Sequence, residues 1–502
     1  MNKRILSAIL AALILSPAFL TGCSENNADS SETDAASPSA VENAAAEEET
    51  ELTRANTPDD LPEDLNFEGA TATIAARSKA WFTGEMFVEE LNGEVVNDAV
   101  YDRDLDVEDR LNVTINYELL ADPNTPVNSN VTAGTDYYTM HTGSAVDTVQ
   151  YGVKGNYYNL LGEYPQYLNL EQPWWSQYYT EQSNIAGVSF FATGDLCFSL
   201  TKLAFVTYAN MQLVADFGLE NPYDLVREGT WTFDKEMEMA AKAYVDKNGN
   251  GEVDNADTFG MSMAGEIGLD PYWSAFDLSI IEHDADGLPV FSVNQEKMVS
   301  VLEKLASFYK QADFVYVVPN SSDAEQDDVA EMLSEDRMLF SPLRIMHTEQ
   351  IRDMESEYAL LPLPKWNEEQ ENYYTFVHDQ YSIVGIPLSV QDPAMASAVM
   401  EAMAAESYRY VSPAYYDLVL NGKYIRDPAS AEMLDIAIAG IKIDFGWIYT
   451  YSLNSISQNL LRALVYNQKT ANFASTYRST NKVTSKVMDK LVKTVTELAE
   501  DR

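Results

Sequence analysis

The sequence predicts an α/β protein of two lobes. The first observation is an opening strand–helix–strand pattern: ATATIAARS reads as a strand, and NVTINYELL alternates with Val113, Ile115, Tyr117 and Leu119 on one face. Between them, NDAVYDRDLDVEDRLNV places Val100, Val107 and Leu111 at helical spacing, with Tyr101 and Leu105 beside them. Strand, helix and strand in that order imply a sheet with parallel pairing. The second observation is size: 502 residues at 46% hydrophobic content exceed one typical core.

Each end of the chain has its own texture. Lys3 and Arg4 form a positive start, ILSAILAALILSPAFL an apolar run, and LTGC sets small residues before Cys23. The run is too short and too early for a membrane span. LTGC resembles the lipobox of bacterial lipoproteins. That implies a signal peptide over residues 1–22 and a mature N-terminus at Cys23 carrying lipid, with palmitate among its acyl chains. The alternative is an ordinary secretory signal cut elsewhere. Only Cys23 and Cys197 are present, so a lipidated Cys23 leaves no intramolecular disulfide, and Cys197 in GDLCFSL reads as a buried apolar residue. Residues 23–66 hold Ser, Ala, Asn, Glu, Asp and Thr with almost no aromatics. They predict a disordered, self-repelling acidic tether, with the folded part starting near Asn66.

Composition excludes whole classes. With 79 Asp and Glu against 32 Lys and Arg the formal charge is −47, which repels nucleic-acid phosphates and anionic lipid headgroups alike. His141, His283, His347 and His378 have no paired zinc-ligand spacing, and there is no GxSxG, P-loop or dinucleotide fingerprint. Neither an internal repeat nor a second membrane-length apolar stretch is seen. Further on, GVSFFATGDLCFSLTKLAFVTYANMQLVADFGL holds two strand-like runs and a helix start, YALLPLPK and YTFVHDQYSIVGIPLS are strand-like, and DPAMASAVMEAMAAES is a helix with Pro393 in its first turn.

Taken in order, the LTGC start, the acidic tether, NDAVYDRDLDVEDRLNVTI, the segment ending FATGD, PYDLVREGTWTFD, an Asp/Asn/Gly loop, LLPLPK and AYYDLVLNGKYIRDPASAEMLDI resemble the extracellular solute-binding protein family 1 over residues 67–502. These are lipoprotein receptors of ABC importers, many of which take up carbohydrates. The resemblance implies a two-lobe periplasmic-binding-protein-like fold of type II, with a ligand cleft between lobes joined by hinge crossings near residues 198–206 and 374–382. Lobe 1 would be residues 67–200 plus about 380–420, and lobe 2 residues 201–379 plus about 421–502 with the C-terminal helices. It implies a receptor held to the outer face of the cell membrane through its lipid anchor only, which captures a solute, an oligosaccharide above all, for ABC permease subunits and breaks no bond; a monomer is the default. Two alternatives stay open: an anchored carbohydrate-active enzyme, and a surface glycan-binding adhesin.

The stretch WTFDKEMEMAAKAYV, with Thr232 as N-cap, reads as a helix running directly into DKNGNGEVDNAD. On the EF-hand pattern Asp246, Asn248 and Asn250 take positions one, three and five, Gly251 the sharp turn, Glu252 a carbonyl position, Asp254 the ninth and Asp257 the twelfth. Structural Ca²⁺ is the expectation; a solvated Asn-Gly turn is the alternative. Asp257 is one methylene shorter than the glutamate usual at the twelfth position, and TFGMSMAG after the loop reads as a strand.

Aromatic faces and carboxylates, amides or guanidinium groups recognise sugars. The chain has 7 Trp and 30 Tyr, so position must select among them. Trp81 follows the first strand at its carboxyl end, where α/β sheets bind ligands. Trp174 and Trp175 are adjacent and are not expected to face one core together, so one is expected in the cleft. Asp195 follows a strand near the first crossing, and Asp379 and Tyr381 lie at the return beside His378. Trp273, Arg344 and Trp447 are candidates from the second lobe and the C-terminal part.

Overall fold

The strand at Ala70–Arg77 (β1) is buried on both faces over its second half, as a central parallel strand requires. In this computed structural model, which describes residues 53–309, 313–318, 323–421 and 428–500, β1 pairs in parallel with Val113–Leu120 (β2) on one side and Met140–Ser144 (β3) on the other. Two sheets organise the chain. Further strands are Phe205–Asn210 (β4), Phe259–Met263 (β5), Ile281–His283 (β6), Pro289–Phe291 (β7), Val315–Val317 (β8), Met338–Arg344 (β9), Tyr358–Leu361 (β10) and Ser382–Gly385 (β11). The first sheet has the order β11-β3-β1-β2, with β11 antiparallel to β3; the second has the order β10-β4-β9-β5-β8, and β6 and β7 form a hairpin. Helices flank each sheet. The result is a two-lobe, mixed α/β fold.

The chain enters the second sheet at β4 and returns to the first at β11. These two crossings are hydrogen-bonded to each other: Phe205 N donates to Phe376 O at 2.9 Å and His378 N to Leu203 O at 3.1 Å. A later stretch joins them, with Thr375 N donating to Gly440 O at 2.8 Å. Helix Ser412–Asn421 packs on helix Val95–Leu111 in the first lobe, whereas helix Pro428–Ala439 packs on β10 in the second. The long helix Phe473–Glu500 touches both the β6–β7 hairpin and helix Ala145–Val153.

Several sequence expectations are corrected. Cys23, the leader and most of the tether lie outside the described residues, but residues 53–66 are packed against the first lobe rather than disordered. Asp59 takes Arg110 through both oxygens at 2.6 and 2.7 Å and Arg409 at 2.9 Å, and Leu61 is buried. Although burial works against ionisation, the two guanidinium groups hold the Asp59 carboxyl at about 2. Composition averaged over the stretch could not reveal these anchors. The helix expected over WTFDKEMEMAAKAYV spans only Phe233–Ala240, with Thr232 as its N-cap. Leu105 stays largely exposed, and the buried face of its helix takes Arg103 instead, whose guanidinium donates to Met86 O at 2.6 Å. Cys197 is buried.

The tryptophan pair is corrected as well. Both Trp174 and Trp175 are buried in the first lobe, because one carboxylate accepts both indoles: Glu401 takes Trp174 Nε1 at 3.1 Å and Trp175 Nε1 at 3.0 Å. Asn169 N adds a third donor at 3.3 Å. Gly194 permits the close approach, since a Cβ there would collide with the Trp174 carbonyl. Burial pushes the Glu401 carboxyl up to about 7 while the indoles pull it down. Replacing Glu401 by Ala strands these donors at about 1–3 kcal/mol each, so urea unfolding of Glu401→Ala is expected to show a loss of about 3 kcal/mol or more, with Glu401→Gln losing less.

Candidate functional site between the lobes

The carboxyl end of β1 points at the junction of the lobes, and so does the end of β9 from the other side. Trp81, just past β1, therefore meets Arg344, the last residue of β9, with the guanidinium carbon 4.4 Å from the ring centroid. Lys79 Nζ sits 3.9 Å from the same ring. His378 on the return crossing packs edge-on to Trp81 at 6.1 Å. Trp81 is half-buried and Arg344 almost fully buried.

A second group closes around the crossing. Asp270, beside helix Pro271–Ala275, holds Arg462 through two contacts, one from Nε at 2.6 Å and a shorter one from Nη2. Arg462 stands on a π-helical turn, Asn459–Ala463, an irregularity frequent at functional sites. Its guanidinium lies 5.6 Å from the Trp447 ring, which packs edge-on against Phe376 at 4.9 Å and Trp273 at 6.2 Å. Of the sequence candidates, Trp81, Arg344, Asp379, Tyr381, Trp273 and Trp447 thus gather at the junction of the lobes. Trp273 is wholly buried behind Trp447, and Tyr381 is buried with its ring edge-on to Tyr179 at 6.2 Å.

Electrostatics at this point are dominated by desolvation. Burial first, then neighbouring Asp270, pushes the Asp379 carboxyl up to about 7, and burial pushes Asp270 up to about 6 against the pull of Arg462. Burial, with Arg344, Arg462 and Lys79 adding repulsion, brings His378 down to about 3, so its imidazole is neutral. His378 Nδ1 and Asp379 Oδ1, 3.5 Å apart, accordingly do not form an ion pair at mildly acidic pH. The space left beside Asp379, Tyr381, Asp444 and Trp447 is about 20 Å³, room for a single water. At that point the residues around Asp379 leave no room for a sugar ring.

Trp174, Trp175 and Asp195 line a different cavity. It measures about 640 Å³ and is walled by the first-crossing residues Phe198 and Leu200, by Tyr415 and Tyr416 of helix Ser412–Asn421, and by Ile438. Asp195 pairs there with Arg54. Although roomier, this cavity is lined by residues of helix Ser412–Asn421 and not by Trp81, Arg344 or Arg462. Ligands of open α/β sheets bind at the carboxyl ends of the strands, so the junction at Trp81 is the stronger candidate.

Of the groups at the junction, Asp270, Arg462 and Lys79 were not singled out from sequence. An arginine inside the apolar run NLLRALV carries no local signal. Asp270 precedes Pro271 and reads only as a helix start.

The Asp/Asn/Gly loop folds around its own side chains. Asp246 accepts Gly249 N at 2.7 Å and Gly251 N at 2.8 Å, and both glycines have positive φ, 69° and 76°. The Asn248 and Asn250 amides reach the Asp254 carboxylate at 3.1 and 2.8 Å. Asp257, expected as the twelfth ligand, is instead buried and accepts Lys247 N, Asp254 N and Tyr244 OH at 3.1–3.2 Å, so it ties the two ends of the loop together. Glu252 stays exposed. Among the described residues no three His, Cys, Asp or Glu side chains form a metal cage, and no helix is long and apolar enough to cross a membrane.

No protein-family model and no curated relative matches this chain. Solved structures do. A cyclo/maltodextrin-binding protein complexed with maltotetraose superposes with a TM-score of 0.53 at 10% identity, over 86% of this chain and 97% of that one. An ABC transporter solute-binding protein from Thermotoga lettingae, bound with α-D-tagatose, gives 0.50 at 12% identity over 84% and 100%. The GacH receptor of Streptomyces glaucescens gives 0.50 at 11% identity over 82% and 99%. The chain has the fold of these binding proteins.

The Asp379 shift gives a test of the closed state. Burial at the junction raises its carboxyl above the ordinary carboxylate value, so an arrangement that keeps it buried is favoured at low pH and weakened as pH rises through about 7. Small-angle scattering of the ligand-free protein is expected to show a larger radius of gyration at pH 8.5 than at pH 5.5, with the difference reduced in Asp379→Asn.

Proposed function

We propose that this chain is a solute-binding receptor that captures a sugar, preferentially an oligosaccharide, by closing its two lobes and then delivers it to the permease of an ABC importer. The observation that carries the reading is the meeting of Trp81 from the first lobe with Arg344 from the second, beside Trp447 and the Asp270–Arg462 pair. Ring faces against apolar sugar faces, with guanidinium and carboxylate groups for hydroxyl pairs, are the chemistry of saccharide recognition. Contacts made with both lobes at once are what couple binding to closure. The saccharides named with the structural neighbours point the same way. The LTGC motif supports a lipid anchor on Cys23 and display on the outer face of the cell membrane.

A second reading rests on Asp270 and Asp379, two carboxyls raised to about 6 and 7 at one junction, a property that acid catalysts of glycan hydrolysis share. Both readings are separated by one experiment. Calorimetric titration of the full chain with a panel from monosaccharides to maltotetraose is expected to give saturable binding with the sugar recovered intact, and Trp81→Ala is expected to weaken it about tenfold or more. Hydrolysed sugar would assign the protein to the enzymes, and no binding across the panel would remove carbohydrate as the ligand class.

We also propose that the Asp246–Asp254 part of the loop holds a structural Ca²⁺. Asp246, Asn248, Asn250 and Asp254 supply the oxygens, and Asp257 braces the loop without ligating. Hard cations take such carboxylate and amide oxygens on glycine turns. Thermal unfolding is expected at higher temperature in calcium than in chelator, by the equivalent of about 2.7 kcal/mol at about one hundred times the dissociation constant. Asp254→Ala is expected to abolish that difference; identical curves for the parent protein would leave the loop a solvated turn.

A further inference from the structure

The C-terminal helix Phe473–Glu500 carries a charge opposite to that of the chain. From Asn467 to Lys493 there are six basic residues, Lys469, Arg478, Lys482, Lys486, Lys490 and Lys493, and one acidic residue, Asp489, in a protein of net charge −47. Four of the basic residues, Arg478, Lys482, Lys486 and Lys490, recur every fourth position, so they form one stripe of about 18 Å on an α-helix rising 1.5 Å per residue. The buried residues Phe473, Tyr477, Thr484, Met488, Leu491 and Val495 form the face diametrically opposite. The stripe therefore lies on the side of the helix away from its buried face, with Arg478 and Lys482 also lining a hollow of about 330 Å³ beside Gln295. All four residues are exposed, and among the described residues none of them has a salt-bridge partner; Lys493 alone in this helix pairs, with Glu497 at 3.6 Å.

We propose that this stripe is a docking surface for an anionic phospholipid bilayer. An exposed helix face bearing separated lysines suits charge spread over a plane rather than a carboxylate held in a fixed geometry, for which arginine forks are the better tool. Strong net negative charge keeps the rest of the protein off such a surface, which leaves this face to approach it. Beyond a Debye length of about 8 Å the repulsion is screened, whereas the stripe acts at contact. Docking thus sets the orientation of the molecule on the membrane. The inference does not depend on what solute the cleft takes.

The test is a lysine-labelling footprint of the full chain on vesicles of pure phosphatidylcholine and on vesicles containing about one-third phosphatidylglycerol. Labelling of Lys482, Lys486 and Lys490 is expected to slow about threefold or more on the anionic vesicles and to recover at about 0.5 M NaCl, while Lys242 on the second lobe is unchanged. In the combined variant Arg478→Glu, Lys482→Glu, Lys486→Glu and Lys490→Glu, Lys493 replaces these lysines as the reporter: its slowing on anionic vesicles in the parent protein is expected to vanish, with thermal unfolding unchanged. Equal labelling on both vesicle types would overturn the proposal. So would protection that grows with protein concentration regardless of lipid, which would assign the stripe to the acidic surface of a second copy.

Discussion

One buried carboxylate sets the geometry from which the rest follows. Glu85, in the loop after β1, accepts Ser199 N of the first crossing at 2.9 Å through Oε1, and through Oε2 the hydroxyl of Ser382, where the return crossing enters β11. Ser199 Oγ in turn accepts Ser382 N at 2.9 Å, and Arg77 at the end of β1 donates to Ser382 Oγ and Gln380 O at 2.6 and 2.8 Å. Burial lowers the Arg77 guanidinium to about 10 although the nearby Glu85 opposes it, so Arg77 remains charged at neutral pH. Removing Glu85 would leave Ser199 N without its acceptor and the buried Arg77 guanidinium without the acidic group that opposes its desolvation. The loop that carries Trp81 is thereby fastened to both crossings, and the position of that ring is tied to the hinge.

Closure brings many ionisable groups out of water at once. It is tolerated because the charges are removed or paired: His378 is neutral, Asp379 is held protonated on the acidic side of about 7, and Asp270 and Arg462 satisfy one another. An ion pair of this kind adds little net stability, since desolvation offsets the attraction. Its consequence is positional, because it fixes the Arg462 guanidinium beside the Trp447 ring. Such groups hydrogen-bond water when exposed, and a hydroxyl-rich ligand offers the same bonds; an exchange of that kind favours whichever arrangement of lobes makes the more contacts with the ligand.

Local pattern made much of this legible in the sequence. The β1 strand, the following helix, β2, β5, β11 and helix Pro393–Glu406 all stand where hydrophobic spacing and caps place them, although Leu105 and Leu119 stay exposed on elements whose position the pattern finds. What failed depended on distant partners. Trp174 and Trp175 share a core because Glu401, more than two hundred positions away, accepts both indoles. Residues 53–66 pack because Arg110 and Arg409 reach Asp59. Asp270 and Arg462 find each other across 192 positions, and neither local segment differs from an ordinary helix start or an ordinary helix interior. Candidate aromatics were legible only as a list; the fold selects which of them converge.

The pairing of the crossings also decides which groups move. Because residues 203–205 and 376–378 are hydrogen-bonded to each other, and Thr375 to the stretch at Gly440, the connections between lobes form one short ribbon rather than independent strings. A ribbon of this kind restricts opening to rotation about itself, and displacement then grows with distance from it. His378 and Asp379 lie on the ribbon and stay near the axis, whereas Trp81 and Arg344 are carried on separate sheets and must part. The same residues thus divide by position: His378 and Asp379 sit on the ribbon, whereas the Trp81–Arg344 contact spans the two lobes. Interactions that exist only in the closed state are the ones that convert binding into closure.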